Sequence, residues 1–136
     1  MKKILFLITP IFLFSFILYA QETHLLREWG NNKNIDYLEL GSSYIFKNLR
    51  SYNIKTVYTD LQEPGVKGGF GVSISSYIMN CDDKKYKLNK TYYFNGENLV
   101  KFSRFDDRYY RNDPGFGWKD IKTDNNQLEV SDIICK

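Results

Sequence analysis

From Ser51 to Phe105 apolar and aromatic residues recur at every second position in run after run, and that period is satisfied by strands rather than helices. "SYNIKTVYTDL" sets Tyr52, Ile54, Thr56 and Tyr58 on one face against Asn53, Lys55, Val57 and Thr59 on the other. "VSISSYIMNC" opposes Val72, Ile74, Ser76 and Ile78 to Ser73, Ser75, Tyr77, Met79 and Cys81. "YKLNKTYYF" predicts a third strand with Tyr86, Leu88, Tyr92 and Phe94 on one face, and "ENLVKFSRF" a fourth, Glu97 to Phe105. Between them lie turn signals: "EPGVKGGFG", with one proline and four glycines, then "DDKK", then Asn95-Gly96, whose tolerance of positive φ marks a tight hairpin. The glycine-rich loop is no phosphate cradle, because no G-K-[ST] follows its lysine. Consecutive strands joined by short turns make an antiparallel meander, and the earlier runs "IDYLEL" and "SYIFKNL" extend it to about six strands.

The first twenty residues have a different character. Lys2 and Lys3 precede an apolar run from Ile4 to Tyr19, and Ala20 is a small residue at which a signal peptidase can cut. Residues 1–20 are read as a secretory signal peptide and 21–136 as a single domain, with retention of the leader as an anchor the alternative. No cysteine lies near the cut to carry a lipid, so the expected location is the periplasm, the cell surface or the medium of a bacterium. About 116 residues remain, enough for one modest core. Of the 19 basic residues two lie in the leader, leaving 17 against 16 acidic, a net of +1; a nucleic-acid binder would carry a stronger excess.

Export gives the two cysteines a meaning. An oxidising compartment pairs an even count in a small secreted domain, so Cys81 and Cys135 are expected to form a disulfide. Closing a loop of about 55 residues stabilises the fold by about 4 kcal/mol in the chain-entropy picture. A redox role is disfavoured because the spacing is not C-x-x-C. The last segment reads as a short helix: Asp124 with Gln127 three residues on forms a capping box, and Leu128, Val130, Ile133 and Ile134 form an apolar side, whereas Asp132 breaks a strand pattern. Such a helix is too short to stand alone, and the bridge at Cys135 would clamp it to the sheet. The expected class is therefore α+β, an antiparallel sheet with a short C-terminal helix packed on it.

The order of these features, a strand ending in cysteine in "SSYIMNC", a basic strand "KKYKLNKTYYF", a tryptophan in "GWKDI" and a terminal "IIC", resembles the surface-adhesin protein E family of small exported bacterial proteins. The resemblance spans most of residues 29 to 135. It implies an antiparallel sheet with a C-terminal helix, binding to host extracellular-matrix glycoproteins, and a homodimer. This chain departs from the member that names the family in lacking a lipidation cysteine, so the resemblance implies the fold more strongly than attachment to the cell surface.

The residue inventory argues against catalysis. The one histidine, His24, falls in a segment expected to be mobile, which leaves a Ser or Cys nucleophile without a base, and one histidine cannot build a multi-His metal site. Asp82-Asp83 and Asp106-Asp107 are adjacent pairs that strands would point to opposite faces and that turns favour anyway. Asp106, Asp107, Asn112 and Asp113 could in principle hold Ca²⁺, but Arg108 and Arg111 sit among them. "NKT" at Asn89 matches a glycosylation acceptor that a bacterial protein has no use for. No cofactor is expected.

What remains is recognition of a protein or glycan. Lys85 and Lys87 are expected on the outward face of the strand after Cys81, with Lys84 in the turn and Lys90 nearby, a basic stripe suited to sulfated glycans or acidic protein segments; edge-protecting lysines are the plainer reading. The loop "RFDDRYYRNDPGFGW" brings Arg108, Tyr109, Tyr110 and Arg111 together, residue types that concentrate binding energy at interfaces. Trp118 is expected to turn inward against the sheet edge. The sequence thus points to an exported, non-enzymatic binding protein of adhesin type. A periplasmic accessory or inhibitor protein is the alternative, and a small-molecule site on the tyrosine-rich sheet face a third reading.

Overall fold

The computed structural model describes residues 23–40, 46–63, 65 and 68–136; the expected signal peptide, residues 1–20, lies outside them, as do Ser43, Tyr44 and Ile45 of the run "SYIFKNL". Six strands follow one another in the order of the chain: β1 (Thr23–Trp29), β2 (Asn34–Glu39), β3 (Leu49–Gln62), β4 (Phe70–Asn80), β5 (Lys85–Asn95) and β6 (Asn98–Arg104). Each pairs antiparallel with the next, and a two-residue β7 (Lys119–Asp120) pairs with the start of β5. A 3-10 turn, Ile121–Thr123, leads into α1 (Asn125–Ile134), the one α-helix among the described residues. The expected α+β meander with a C-terminal helix is the fold of this protein.

The core lies between one face of the sheet and the segment Ile121–Ile134. Leu26, Leu38, Tyr52, Ile54, Met79, Tyr86, Ile121 and Val130 form one buried cluster, with Ile133, Ile134 and Cys135 packed against it. The registers Arg50↔Met79, Tyr52↔Tyr77 and Ile54↔Ser75 put the alternate residues of β3 and β4 on this helix side, as their period of two predicts. Cys81 and Cys135 are bonded, with their Cα atoms 5.5 Å apart, and tie the end of β4 to the end of α1.

Four sequence expectations need correction. The segment around His24 is a strand, not a mobile end: His24 pairs with Leu38, and Leu26 is driven into the core beside Leu38, which gives the strand an apolar anchor. In the described part of "SYIFKNL" only Leu49 is in a strand, as the first residue of β3; Phe46–Asn48 form a turn with Lys47 at φ 49°, and Phe46 is 61 % exposed. At the β5–β6 hairpin Asn95 pairs with Asn98, so the two-residue turn is Gly96-Glu97, with Gly96 supplying the left-handed position.

The fourth correction matters most for the site. Tyr77 pairs with Leu88 but Ser76 pairs with Lys90, so β5 carries one extra residue, Asn89. This bulge reverses the faces of the later residues of the strand. Tyr86 and Leu88 face the helix side, whereas Tyr92 and Phe94, expected beside them, lie on the opposite face, and Thr91 and Tyr93 take the helix side instead.

The helix docks through polar groups as well as apolar ones. Its buried residues are Asn126, Gln127, Val130 and Ser131, and Leu128, expected in the apolar stripe, is exposed. Asp124 caps the helix by accepting from the Asn126 N–H, while Gln127 turns to the sheet, where its Oε1 accepts from the Tyr52 hydroxyl. Asn126 Nδ2 donates to Asp36 Oδ2 over 2.8 Å; the buried Asp36 carboxylate also accepts from Thr56 Oγ1 (2.7 Å) and Arg27 Nε (3.1 Å). Among the described residues no buried side-chain nitrogen or oxygen lacks a partner.

Candidate functional site

β6 covers only the second half of β5, opposite Lys90 to Asn95, and β7 covers only Lys85 and Tyr86. The backbone carbonyls between them need donors. The loop from Phe105 to Trp118 supplies two: the Phe105 N–H donates to the Asn89 carbonyl (2.7 Å) and the Tyr110 hydroxyl to the Leu88 carbonyl (2.9 Å). The bulge at Asn89 and the loop are thus one device, in which an interrupted edge is closed by a strap.

The strap is held by its own turns. Asp106 Oδ1 accepts from the Arg108 and Tyr109 N–H groups at 3.1 and 3.2 Å. Asp113 accepts from the N–H groups of Gly115 (2.9 Å) and Gly117 (3.2 Å). Gly117 is at φ 85°, and a Cβ there would meet the Tyr110 ring at 2.7 Å, so only glycine lets the chain cross this ring. Tyr109 packs edge-on to both Phe105 and Tyr110 with ring centroids 4.8 and 5.0 Å apart. Asp107 lies 3.3 Å from Lys87 Nζ, and among the described residues no group of three or more His, Cys, Asp or Glu side chains could hold a metal ion.

On this frame Tyr109 is 63 % and Phe116 58 % exposed, and Arg108 and Arg111 are exposed beside them. Trp118 is half-buried and lines a cleft with Leu49 and Asn80, whereas Phe116 is exposed. Arg108, Tyr109, Tyr110 and Arg111 therefore fall in one loop but divide in role: Tyr110 is the anchor, and the other three are displayed.

The lysines separate as well. The registers Lys85↔Asn80, Lys87↔Ile78 and Lys90↔Ser76 place all three on the face away from the helix, Lys90 only because of the bulge. Lys84 is exposed in the turn at φ 55°, and Lys85 is exposed. Lys87 is not free: its side chain is only 12 % exposed, 3.3 Å from Asp107 and 5.1 Å from the Tyr110 ring centre. Lys90 lies over Tyr92 at 5.4 Å. The expected stripe is thus Lys84, Lys85 and Lys90, joined by Lys55 and Arg104, which sequence reading did not single out.

This outer face also carries a row that crosses all six strands, Leu25–Tyr37–Lys55–Ile74–Tyr92–Phe102, and none of its members is buried.

On the helix side two clefts flank Tyr77 and Asp124. The larger, about 550 Å³, is walled by Tyr77, Tyr86, Tyr109 and Tyr110 with Asp113 and Asp124 among its lining. The smaller, about 210 Å³, is polar and includes Asp36, Thr56, Ser73 and Asn126. Tyr77 is held well above the usual phenol range, by burial first and then by the Asp124 carboxylate. Tyr86 and Tyr110 are raised too, chiefly by burial, with Asp124 and Asp113 respectively adding to it. Burial and the nearby carboxylates thus both favour the neutral phenols over phenolates. Sequence reading missed the cleft because the strap that forms its outer wall comes some twenty residues after the strand it closes; the signal was Tyr77 in phase with Met79 on a core-facing strand.

No protein-family model, curated protein or solved structure matches the chain. No helix among the described residues is long and apolar enough to cross a membrane.

Proposed function

We propose that this chain is an exported, non-catalytic binding protein of the surface-adhesin protein E type, which recognises extracellular-matrix or other macromolecular ligands through the strap Phe105–Trp118 and the adjoining lysines. The observation that carries the proposal is the display of Tyr109 and Phe116 with Arg108 and Arg111 on a loop whose backbone is fixed by Asp106, Asp113 and Tyr110. Large aromatic and guanidinium groups bind best when their ordering cost has been met before the partner arrives, and turns closed by carboxylates meet it. Lys84, Lys85 and Lys90 add a positive field that favours acidic segments or sulfated glycans. Self-association belongs to the same reading, with the uncovered outer row, apolar or aromatic except for Lys55, as the surface that meets a second copy.

The test is binding to immobilised matrix glycoprotein and to heparin by Phe116→Asn/Arg111→Glu and by Lys85→Glu/Lys90→Glu. Asparagine is chosen because Phe116 sits at φ 50°, which asparagine tolerates. Each pair should weaken binding at least tenfold and the lysine pair should flatten its salt dependence; wild-type affinity in both variants refutes the proposal. Protease treatment of intact cells separates its two cellular forms, since a surface adhesin is digested and a periplasmic accessory protein is spared.

A further inference from the structure

The larger helix-side cleft has a chemistry that the displayed loop does not explain. Its walls are tyrosine rings, and the charged groups in its lining are Asp113, Asp124 and Lys119, an excess of one negative charge. Lys119 is exposed to solvent and Lys87, over the Tyr110 ring at 5.1 Å, is paired with Asp107, whereas Asp113 and Asp124 are half-buried, so the two carboxylates dominate the charge of the lining. The nearby helix N-terminus does not reverse that sign, because Asp124 already caps it. Elsewhere the protein uses its own cations on aromatic rings: Arg27 lies over Trp29, Lys47 over Phe46, Lys87 over Tyr110, Lys90 over Tyr92 and Lys101 over Tyr93, at 5.1 to 5.8 Å. Among the described residues no such pair uses Tyr77, Tyr86 or Tyr109.

We infer that this cleft is a binding site for an organic cation, a substituted ammonium or a guanidinium group, held between the faces of Tyr77, Tyr86 and Tyr109 and paired with Asp124 and Asp113. Aromatic faces attract cations most when both are withdrawn from water, and a cavity of this size admits a group larger than a metal ion. Asp113 accepts two backbone N–H groups and Asp124 one, and a carboxylate has about four lone-pair sites, so each retains capacity for a ligand. A neutral sugar would use the rings and donate hydroxyls to the carboxylates, but it would leave their negative charge uncompensated. The cation can be a free amine or the side chain of a basic protein segment; the chemistry is the same and the experiment separates the sources.

The experiment is NMR titration of the protein with choline, with its uncharged isostere 3,3-dimethylbutanol, with an acetylated trilysine amide and with cellobiose. Choline or trilysine should shift the Tyr77 and Tyr86 resonances at least tenfold more tightly than dimethylbutanol or cellobiose. Asp124→Asn, which keeps an N-cap residue and hence the helix, should weaken that binding about tenfold. Tighter binding of trilysine than of choline assigns the natural ligand to a protein segment, and the reverse order to a free amine. Equal binding of choline and dimethylbutanol, saturation by cellobiose alone, no binding of either cation, or an Asp124→Asn variant with wild-type affinity and an intact helix would each overturn the inference. Phe116 and Arg111 lie outside this cleft's lining, so failure here leaves the proposed macromolecular binding untouched.

Discussion

The Cys81–Cys135 bridge closes a separation of 54 residues and joins the C-cap of α1 to the end of β4. Replacing both cysteines by serine removes the constraint without leaving a lone thiol. In the chain-entropy account a loop of about 55 residues is worth about 4 kcal/mol. For a domain of roughly 115 residues, with an unfolding entropy of about 2.1 cal/mol/K per residue, that corresponds to a fall in Tm of about 17 °C. The helix itself offers limited resistance: it has ten residues, one fully buried apolar side chain, Val130, worth roughly 1.5–3 kcal/mol, and two hydrogen bonds to the sheet at about 1 kcal/mol each. The bridge therefore contributes about as much as these three contacts together, with the partly buried Ile133 and Ile134 adding to the docking side. Differential scanning calorimetry should show the fall in Tm, and amide hydrogen exchange should show α1 opening well before the strands. If the double serine variant melts within about 3 °C of wild type and keeps α1 protected, polar docking alone holds the helix and the clamp argument is wrong.

The buried polar groups and the strap lead to further expected outcomes. Tyr52→Phe leaves the buried Gln127 Oε1 without its donor and should cost about 1–3 kcal/mol in urea unfolding at pH 7. Burial raises the Tyr52 and Tyr77 phenols above their unfolded value of about 10, so the unfolded chain loses protons first; stability is full below about pH 10 and falls as pH rises beyond it, with a shallower fall in Tyr52→Phe, measurable by urea unfolding between pH 9 and 11.5. Asp36→Ala removes the acceptor of Arg27, Thr56 and Asn126 together and should cost about 2–4 kcal/mol, read as a lower midpoint in the same assay; a change below about 0.5 kcal/mol would mean that the carboxylate does not organise the helix. Gly117→Ala forces a Cβ into the Tyr110 ring at a left-handed position, so near-UV circular dichroism of the strap tyrosines should change with far-UV signal retained, at a cost of about 1–3 kcal/mol.

Much of the sheet was legible because period-two alternation survives composition. "SYNIKTVYTDL" lies within β3 and "VSISSYIMNC" runs through β4 to Cys81 just past its end, with their faces as read, and the cysteine pair followed from an even count and the compartment expected for the chain. The segment "THLLREW" escaped because its one core residue, Leu26, lies at a register shift between Leu25 and Arg27, where alternation fails. Asn89 defeated the reading of β5 for the same reason, since a single inserted residue is invisible to any pattern that counts by two. The helix was found but its buried face was not, because Asn126, Gln127 and Ser131 are exposed-type residues that go inside only when a sheet presents Asp36 and Tyr52 to meet them.

The site was legible in its outer half only. Arg108, Tyr109 and Arg111 could be named from residue type, because loops that display aromatic and guanidinium groups advertise themselves locally. The inner half depends on long-range closure: Tyr77 from β4, Tyr86 from β5, Tyr109 and Tyr110 from the strap and Asp124 from the cap of α1 meet only once the edge of β5 is sealed. The bulge at Asn89 stands behind both halves. It leaves a carbonyl for Phe105 to take, which starts the strap, and it turns Lys90 to the outer face beside Lys85 while Leu88 and Tyr86 stay on the cleft side. One extra residue in one strand thus separates Lys90, on the outer face, from Tyr86 and Leu88, on the cleft side, and opens the edge that the strap closes.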